Sequence, residues 1–288
     1  MSEPFAVGEV LGLIAGRGRF PIDLARAARR RGRRVVAVAF HGDTAPSLAD
    51  EVDELHWLHL GELEALIARF RAAGVRQAVM AGKVLKTSLF GDLARLKPDA
   101  RAIALIAGLR TRSDDSILGA IADELAQEGI TLLPQAALVP ELLAREGRLG
   151  AVEPTSGQRG DIAFGWPIAK ALGALDVGQT VVVRERAVLA LEAIEGTDAA
   201  VARGAALGGP GASVIKVAKP RQDPRFDMPA VGLATLAVLA EGKVAALAVE
   251  ADRTLLLDRA ELLREADRHG IAVLGIRDST APQGGGRP

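Results

Sequence analysis

Between Lys216 and Asp227 the chain sets two lysines, two arginines and two aspartates within a dozen residues: Lys216, Lys219, Arg221, Asp223, Arg225 and Asp227. Pro220 and Pro224 punctuate the same stretch and Pro229 follows just beyond it, and prolines so spaced suit neither a helix nor a central strand. A merely solvated loop would use Glu, Ser and Gly without such pinning, so the segment reads as a functional site. In one extended run Asp223 and Asp227 would lie about 13 Å apart, too far to share an ion. A turn at Pro224 would bring them together. Carboxylates beside cations suit Mg²⁺, which takes one or two carboxylates and completes its shell with substrate phosphate oxygens. Lysine and arginine would neutralise charge developing on a phosphate. The chemistry this set suits best is phosphoryl or pyrophosphate cleavage.

Other candidates surround it. Glu195-Gly196-Thr197-Asp198 opens a helix that carries Arg203, so Thr197 and Asp198 sit where amides are left over. Near the front, Gly16-Arg17-Gly18-Arg19-Phe20-Pro21 joins an apolar run to a helix, and such a glycine loop lets backbone amides approach an anion. As a dinucleotide fingerprint it is damaged: Pro21 stands where a third glycine belongs, and His41 where an acid should end the second strand, with Asp43 the nearest acid. Lys83, just beyond a strand end at Gly82, is a candidate phosphate contact. His41 lies at a strand's carboxyl end, where open α/β sheets bind ligands. His56 and His59, three apart, would fall on opposite faces of a strand and so not share a metal. Asp114 and Asp115 read as helix caps.

Composition removes several function classes. The 288 residues contain no cysteine and no tyrosine, so thiolate catalysis, disulfides, iron–sulfur clusters and cysteine zinc sites are excluded. Lys+Arg and Asp+Glu both number 36, and with only 3% aromatics the sequence favours no nucleic-acid partner. The first ten residues carry Glu3 and Glu9 where a secretion signal would be positive. The longest apolar run, 231–240, is ten residues, against about 18 for a membrane span. A cytoplasmic protein is expected.

The elements that must hold these residues divide into two textures. Val10–Ala15 and Val35–Phe40 are continuous apolar runs typical of buried parallel strands. With Leu55–Leu60, Gln77–Met80 and Ile130–Leu133 they alternate with helices at 21–31, 62–73, 98–109 and 116–128, which predicts a Rossmann-like parallel sheet. Residues 134–160, rich in proline and glycine, read as a boundary around one short helix at 141–145. Beyond it, helices at 162–172, 198–207, 231–240 and 260–269 mix with strands at 181–186, 187–194, 213–218, 244–249 and 271–276. The expected fold is α/β: a Rossmann-like domain over 1–140, a mixed α+β catalytic domain over 141–280, and a disordered tail over 281–288. Gly165-Trp166-Pro167 is expected to mark the start of the 162–172 helix.

The string Lys219-Pro220-Arg221-Gln222-Asp223-Pro224-Arg225-Phe226-Asp227-Met228-Pro229, with 192–232 around it, Gly12-Leu13-Ile14-Ala15-Gly16 in front and 162–183 between, resembles the LpxI type of UDP-2,3-diacylglucosamine pyrophosphatase. The likeness spans roughly Val10 to Ile276. It implies a lipid A pathway enzyme that hydrolyses UDP-2,3-diacylglucosamine to 2,3-diacylglucosamine 1-phosphate (lipid X) and UMP, with a divalent metal, normally Mg²⁺, and water attack on the β-phosphorus. It also implies a homodimer and allows peripheral contact with the inner membrane. By motif, Asp223 and Asp227 would be catalytic or metal-binding. Lys216, Lys219 and Gln222 would contact the diphosphate or sugar, Thr197 and Asp198 would help bind phosphate, and Gly16, Gly18 and Lys83 remain candidate substrate contacts. The competing expectations are a nucleotide-dependent ligase or oxidoreductase, suggested by the Gly16/Gly18 loop and the Glu195-Gly196-Thr197-Asp198 turn, and a non-catalytic nucleotide or lipid carrier.

Overall fold

A computed structural model describes residues 9–82, 96–109 and 114–277. Lys83 and the 281–288 tail lie outside the described residues, as do the side chains of Asp114 and Asp115. The chain forms two compact units. One comprises residues 1–140 together with 223–227; the other comprises 141–222 and 228–288.

In the first unit the runs Val10–Ala15 (β1) and Arg34–Phe40 (β2) are buried parallel strands. With Glu54–Leu58 (β3), Gln77–Ala81 (β4) and Thr131–Leu132 (β5) they build a wholly parallel sheet ordered β3-β2-β1-β4-β5. The helices Phe20–Arg30, Leu63–Ala72, Ala100–Ala107 and Asp114–Gln127 connect them. Parallel strands require such crossovers, which is why the strands read as unbroken apolar runs rather than alternating ones. Gly12 is needed for packing, because a Cβ there would lie 2.9 Å from the ring of Phe70. Strand order reverses between β1 and β4, and that places a topological switch point beside the loop after β1.

The second unit holds a six-stranded mixed sheet. Its strands are Gly147–Arg148 (β6), Thr180–Arg184 (β7), Ala187–Leu191 (β8), Ser213–Lys216 (β9), Ala246–Glu250 (β11) and Ala272–Ile276 (β13), ordered β6-β13-β11-β9-β7-β8. Strands β9, β11 and β13 are mutually parallel, while β7 is antiparallel to both neighbours. A separate two-stranded sheet pairs Ala230–Val231 (β10) with Leu255–Leu256 (β12). The β7–β8 hairpin turns on Glu185 and Arg186, both at positive φ without glycine. Buried Asp161 accepts both of their backbone amides, which holds a backbone conformation such residues seldom adopt.

Two expectations need correction. The helix expected at 162–172 spans Ser156–Ala174, and Pro167 lies inside it rather than at its start. A capping box decides this: Gln158 N donates to Thr155 Oγ1, and Thr155 N donates to the Gln158 side chain. Pro167 removes one bond, to Ala163; both residues are exposed, so water can take that carbonyl. The short helix expected at 141–145 is a single 3₁₀ turn, Pro140–Leu142. The chain then bridges from Leu143 to Leu255, and Ala144 N donates to Thr254 O.

Candidate functional site

The aspartate loop is fastened to the carboxyl edge of the first unit's sheet. Gln135, buried after β5, donates through its side-chain amide to Met80 O of β4 at 3.0 Å, and its backbone N donates to Pro224 O at 2.8 Å. Phe226 packs against the apolar core that contains Met80, Leu125 and Ile130. The loop itself turns at Pro224 as the sequence suggested. Asp227 N donates to Asp223 O at 3.0 Å, a single helical turn that brings the two aspartates far closer than an extended run would.

Their carboxylates do different work. Asp223 Oδ1 accepts from Arg225 N at 2.9 Å, and its two oxygens take Arg225 Nε and Nη2 at 2.7–3.1 Å. The guanidinium hydrogen bonds hold the Asp223 carboxyl below its ordinary range and raise that of Arg225 in turn. Asp223 is thus committed to its own loop. Among the described residues no group of three or more His, Asp or Glu is arranged to hold a metal. A metal held by both aspartates would have to share the Asp223 carboxylate with Arg225 or displace it.

Beside this loop, at the same edge, the glycine loop after β1 is closed upon β4. Gly16 N donates to Ala81 O at 2.7 Å, and a Cβ on Gly82 (φ +86°) would lie 2.6 Å from Arg17 O. The Gly16 amide is thus spent within the protein. Arg17 turns sideways, donating to Gly42 O at 3.2 Å and pairing with the buried carboxylate of Asp43 at 3.3 Å. The acid that would take a ribose in a dinucleotide site lies under an arginine instead.

The second unit carries a buried polar cluster at the end of β9. Lys216, only 6% exposed, donates from Nζ to Thr197 Oγ1 at 3.0 Å. Thr197 donates in turn to buried Glu192 at 3.1 Å, and Thr180 lies 3.4 Å from the same hydroxyl. Thr197 opens the helix Thr197–Gly208 after Gly196, whose φ of +82° turns the chain into it. Asp198 faces outward and accepts from Thr235 at 2.8 Å. The segment after β9 is held by Glu250, 1% exposed, which accepts from Ala218 N at 2.8 Å and Lys170 Nζ at 3.0 Å. Lys219 and Gln222 close a turn on each other: Lys219 N donates to the Gln222 side chain at 2.9 Å, and Gln222 N donates to Lys219 O at 3.2 Å. The Lys219 ammonium reaches Asp176 at 2.6 Å.

So Lys216 and Thr197 come together, Lys219 and Gln222 come together, and Asp223 and Asp227 share one turn. Gly16 and Gly18 stand on the edge that anchors the aspartate loop.

The LpxI N-terminal domain family matches residues 10–142, and the LpxI C-terminal domain family matches residues 145–274. The chain belongs to the LpxI family. A curated relative, UDP-2,3-diacylglucosamine pyrophosphatase LpxI of Caulobacter vibrioides, is 34% identical over 285 residues, covering 94% of this chain and 99% of the relative. Among solved structures, a Rhizobium etli pyruvate carboxylase aligns at 15% identity and TM-score 0.29 over 60% of this chain and 13% of its own. A GalE-like L-threonine dehydrogenase from Cupriavidus necator aligns at 13% identity and TM-score 0.28 over 94% and 91%. At such scores neither bears on this LpxI-family chain.

Four residues of the site escaped the sequence. Glu192 and Glu250 each end an otherwise apolar strand or its exit, and a lone acid in such a run was the available signal. Gln135 and Lys170 had no local signature at all.

Proposed function

We propose that the protein hydrolyses the pyrophosphate bond of UDP-2,3-diacylglucosamine, giving 2,3-diacylglucosamine 1-phosphate and UMP, with water attacking the β-phosphorus. The observation that carries this reading is the 34% identity to the named Caulobacter enzyme over 94% of this chain and 99% of that one. The chemistry of the clusters supports it. Attack of water on a pyrophosphate needs cations to neutralise charge, a carboxylate to order the nucleophile, and positioning, with no covalent nucleophile. Lys216, oriented by Thr197 and Glu192, is the cation we assign to the diphosphate, with Lys219 beside it in sequence. Gln222 is assigned to the sugar or diphosphate, and Thr197 and Asp198 to the phosphate. Asp227 is the carboxylate we assign to the reacting centre, and Asp223 holds the turn that presents it. Mg²⁺, when bound through Asp227, would supply charge neutralisation and a more acidic water. The oxidoreductase alternative loses support from the pairing of Asp43 with Arg17; the ligase and carrier alternatives differ in requiring ATP or in giving no turnover.

No described helix is long and apolar enough to cross a membrane. A cytoplasmic homodimer touching the inner membrane peripherally completes the proposal, and light scattering of the purified protein tests the dimer. The reaction assignment is tested with Asp227→Ala. Turnover should fall roughly 100-fold or more while substrate affinity changes little, because a group acting in the transition state is lost. Near-normal turnover of Asp227→Ala, with loss in Asp223→Ala, would reverse the two roles.

A further inference from the structure

Four of the eight large apolar side chains that stand exposed among the described residues gather at one edge of the second unit's sheet: Leu175, Val177, Leu191 and Ile194. Register brings them there. Thr180, which opens β7, pairs with Lys216, which ends β9, and Val181 pairs with Leu191, which ends β8. Leu175 and Val177 precede β7 and Ile194 follows β8, so all four lie at the edge where β9 ends. The two turns touch, for a Cβ on Gly178 would run into the Glu192 carbonyl. On the other side a Cβ on Gly173 would lie 3.5 Å from Lys219 Cα, and the Lys219 ammonium reaches Asp176. Exposed Arg221 follows two residues on.

Both turns hold these side chains outward. The helix Ser156–Ala174 closes in a Schellman pattern: Val177 N donates to Leu172 O at 3.3 Å and Asp176 N to Gly173 O at 3.1 Å, with Asp176 at φ +57° where glycine is usual. That pattern commonly tucks its last residue against the helix, yet Val177 is half exposed and Leu175 75% exposed. Ile194, in the turn that Gly196 N closes on Ala193 O, is 91% exposed. Exposed turns ordinarily use small and polar residues; a lone outward aliphatic is common, but four on one edge form a patch. The charges among them are matched: Lys219 pairs with Asp176 and Arg203 with Glu195, both at 2.6 Å, and exposed Arg221 stands against exposed Asp198. The edge thus has no net charge with which to attract a charged partner. Four side chains also offer far less than the about 800 Å² per partner of a stable protein interface. Apolar tips set among matched charges suit the headgroup layer of a bilayer, which takes up aliphatic side chains without needing a complementary shape.

We propose that Leu175, Val177 and Ile194 dock the second unit on a phospholipid bilayer, their side chains entering the boundary between headgroups and acyl chains with little regard to lipid charge. Lys216 and Thr197 meet at this same edge, so docking there brings the residues assigned to the diphosphate to the headgroup layer, where two acyl chains hold the substrate. This rests on the proposed diacylated substrate and extends that reading by naming the surface that meets the membrane.

The test floats full-length protein with phosphatidylcholine vesicles, with and without phosphatidylglycerol, at low and at high salt. Wild type should partition onto both kinds of vesicle, and salt should change this little, because it screens charge and not apolar burial. Leu175→Ser and Ile194→Ser should each lower the partition coefficient roughly 5- to 20-fold, and the two together roughly 100-fold, the range expected when an aliphatic side chain no longer leaves water. Both side chains are exposed, so the variants should melt as wild type does, and kcat for UDP-2,3-diacylglucosamine dispersed in detergent should be unchanged. No vesicle binding by wild type, unchanged binding in the variants, or binding abolished by salt overturns the dock. So does a wild-type dimer that Ile194→Ser dissociates, since a second copy would then cover this edge. The vesicles hold no substrate, which keeps the two claims apart. Turnover in detergent without vesicle binding rejects the dock alone; vesicle binding that depends on Leu175 and Ile194, without turnover, upholds the dock and rejects the hydrolase reading.

Discussion

Replacing Glu250 by alanine should damage both the stability of the second unit and the placement of its lysines. The Glu250 carboxylate is 1% exposed and accepts from Ala218 N at 2.8 Å, from Lys170 Nζ at 3.0 and 3.2 Å, and from Arg253 at 3.4 Å. Removing one partner of a buried ion pair costs about 3–5 kcal/mol. The Lys170 side chain keeps 20% exposure and can regain water, which brings the expected loss to about 2–4 kcal/mol. At about 2–4 °C per kcal/mol for a protein unit of this size, the melting temperature should fall roughly 5–15 °C. Glu250→Gln keeps an acceptor for Ala218 N and loses the charge, so about 1–2 kcal/mol is expected. Circular dichroism melts at pH 7 measure both. Pairing Glu250→Ala with Lys170→Met should give a combined loss smaller than the sum of the single ones, as for residues in one network. Because Ala218 and Lys219 come so soon after Lys216 in the chain, kcat/KM for UDP-2,3-diacylglucosamine should fall as well. A Glu250→Ala protein melting within about 2 °C of wild type, or fully additive with Lys170→Met, would refute the network.

Arg225→Met removes the guanidinium that lowers the folded-state pKa of Asp223. A depressed carboxylate contributes stability above its unfolded pKa and loses it as pH falls through the folded one. The deficit of Arg225→Met, about 1 kcal/mol for this partly exposed pair, should therefore be full at pH 7 and shrink below about pH 4; melts at both pH values check it. Gly178→Ala would drive a Cβ onto the backbone carbonyl of Glu192, 2.7 Å from its carbon. It should cost about 1–3 kcal/mol and reduce kcat/KM by shifting the acid that orients Thr197, as melts and steady-state kinetics would register.

Much of the framework was legible because burial imposes local patterns. Val10–Ala15 and Arg34–Phe40 announced parallel strands by being apolar throughout, and the adjacent runs after Thr180 announced a hairpin. The helix Ser156–Ala174 was only half legible: Gly157, Gly160, Gly165 and Pro167 suppress its propensity, while the Thr155–Gln158 capping box carried the true start. The chemical character of 216–227 came from its charges and prolines. That residues 223–227 belong to the first unit did not, since Gln135 and Pro224 are far apart in the chain and nothing local records their meeting. The same holds for Asp223, whose commitment to Arg225 is a matter of side-chain geometry that spacing does not reveal.

Hydrolysis in ¹⁸O-labelled water tests the central claim most directly. Purified protein given UDP-2,3-diacylglucosamine and Mg²⁺, without ATP or NAD, should release UMP and 2,3-diacylglucosamine 1-phosphate. Mass spectrometry should then find the label in the sugar-side phosphate alone. Label in UMP would contradict attack on the β-phosphorus, and an absence of UMP would contradict the assignment of the reaction itself.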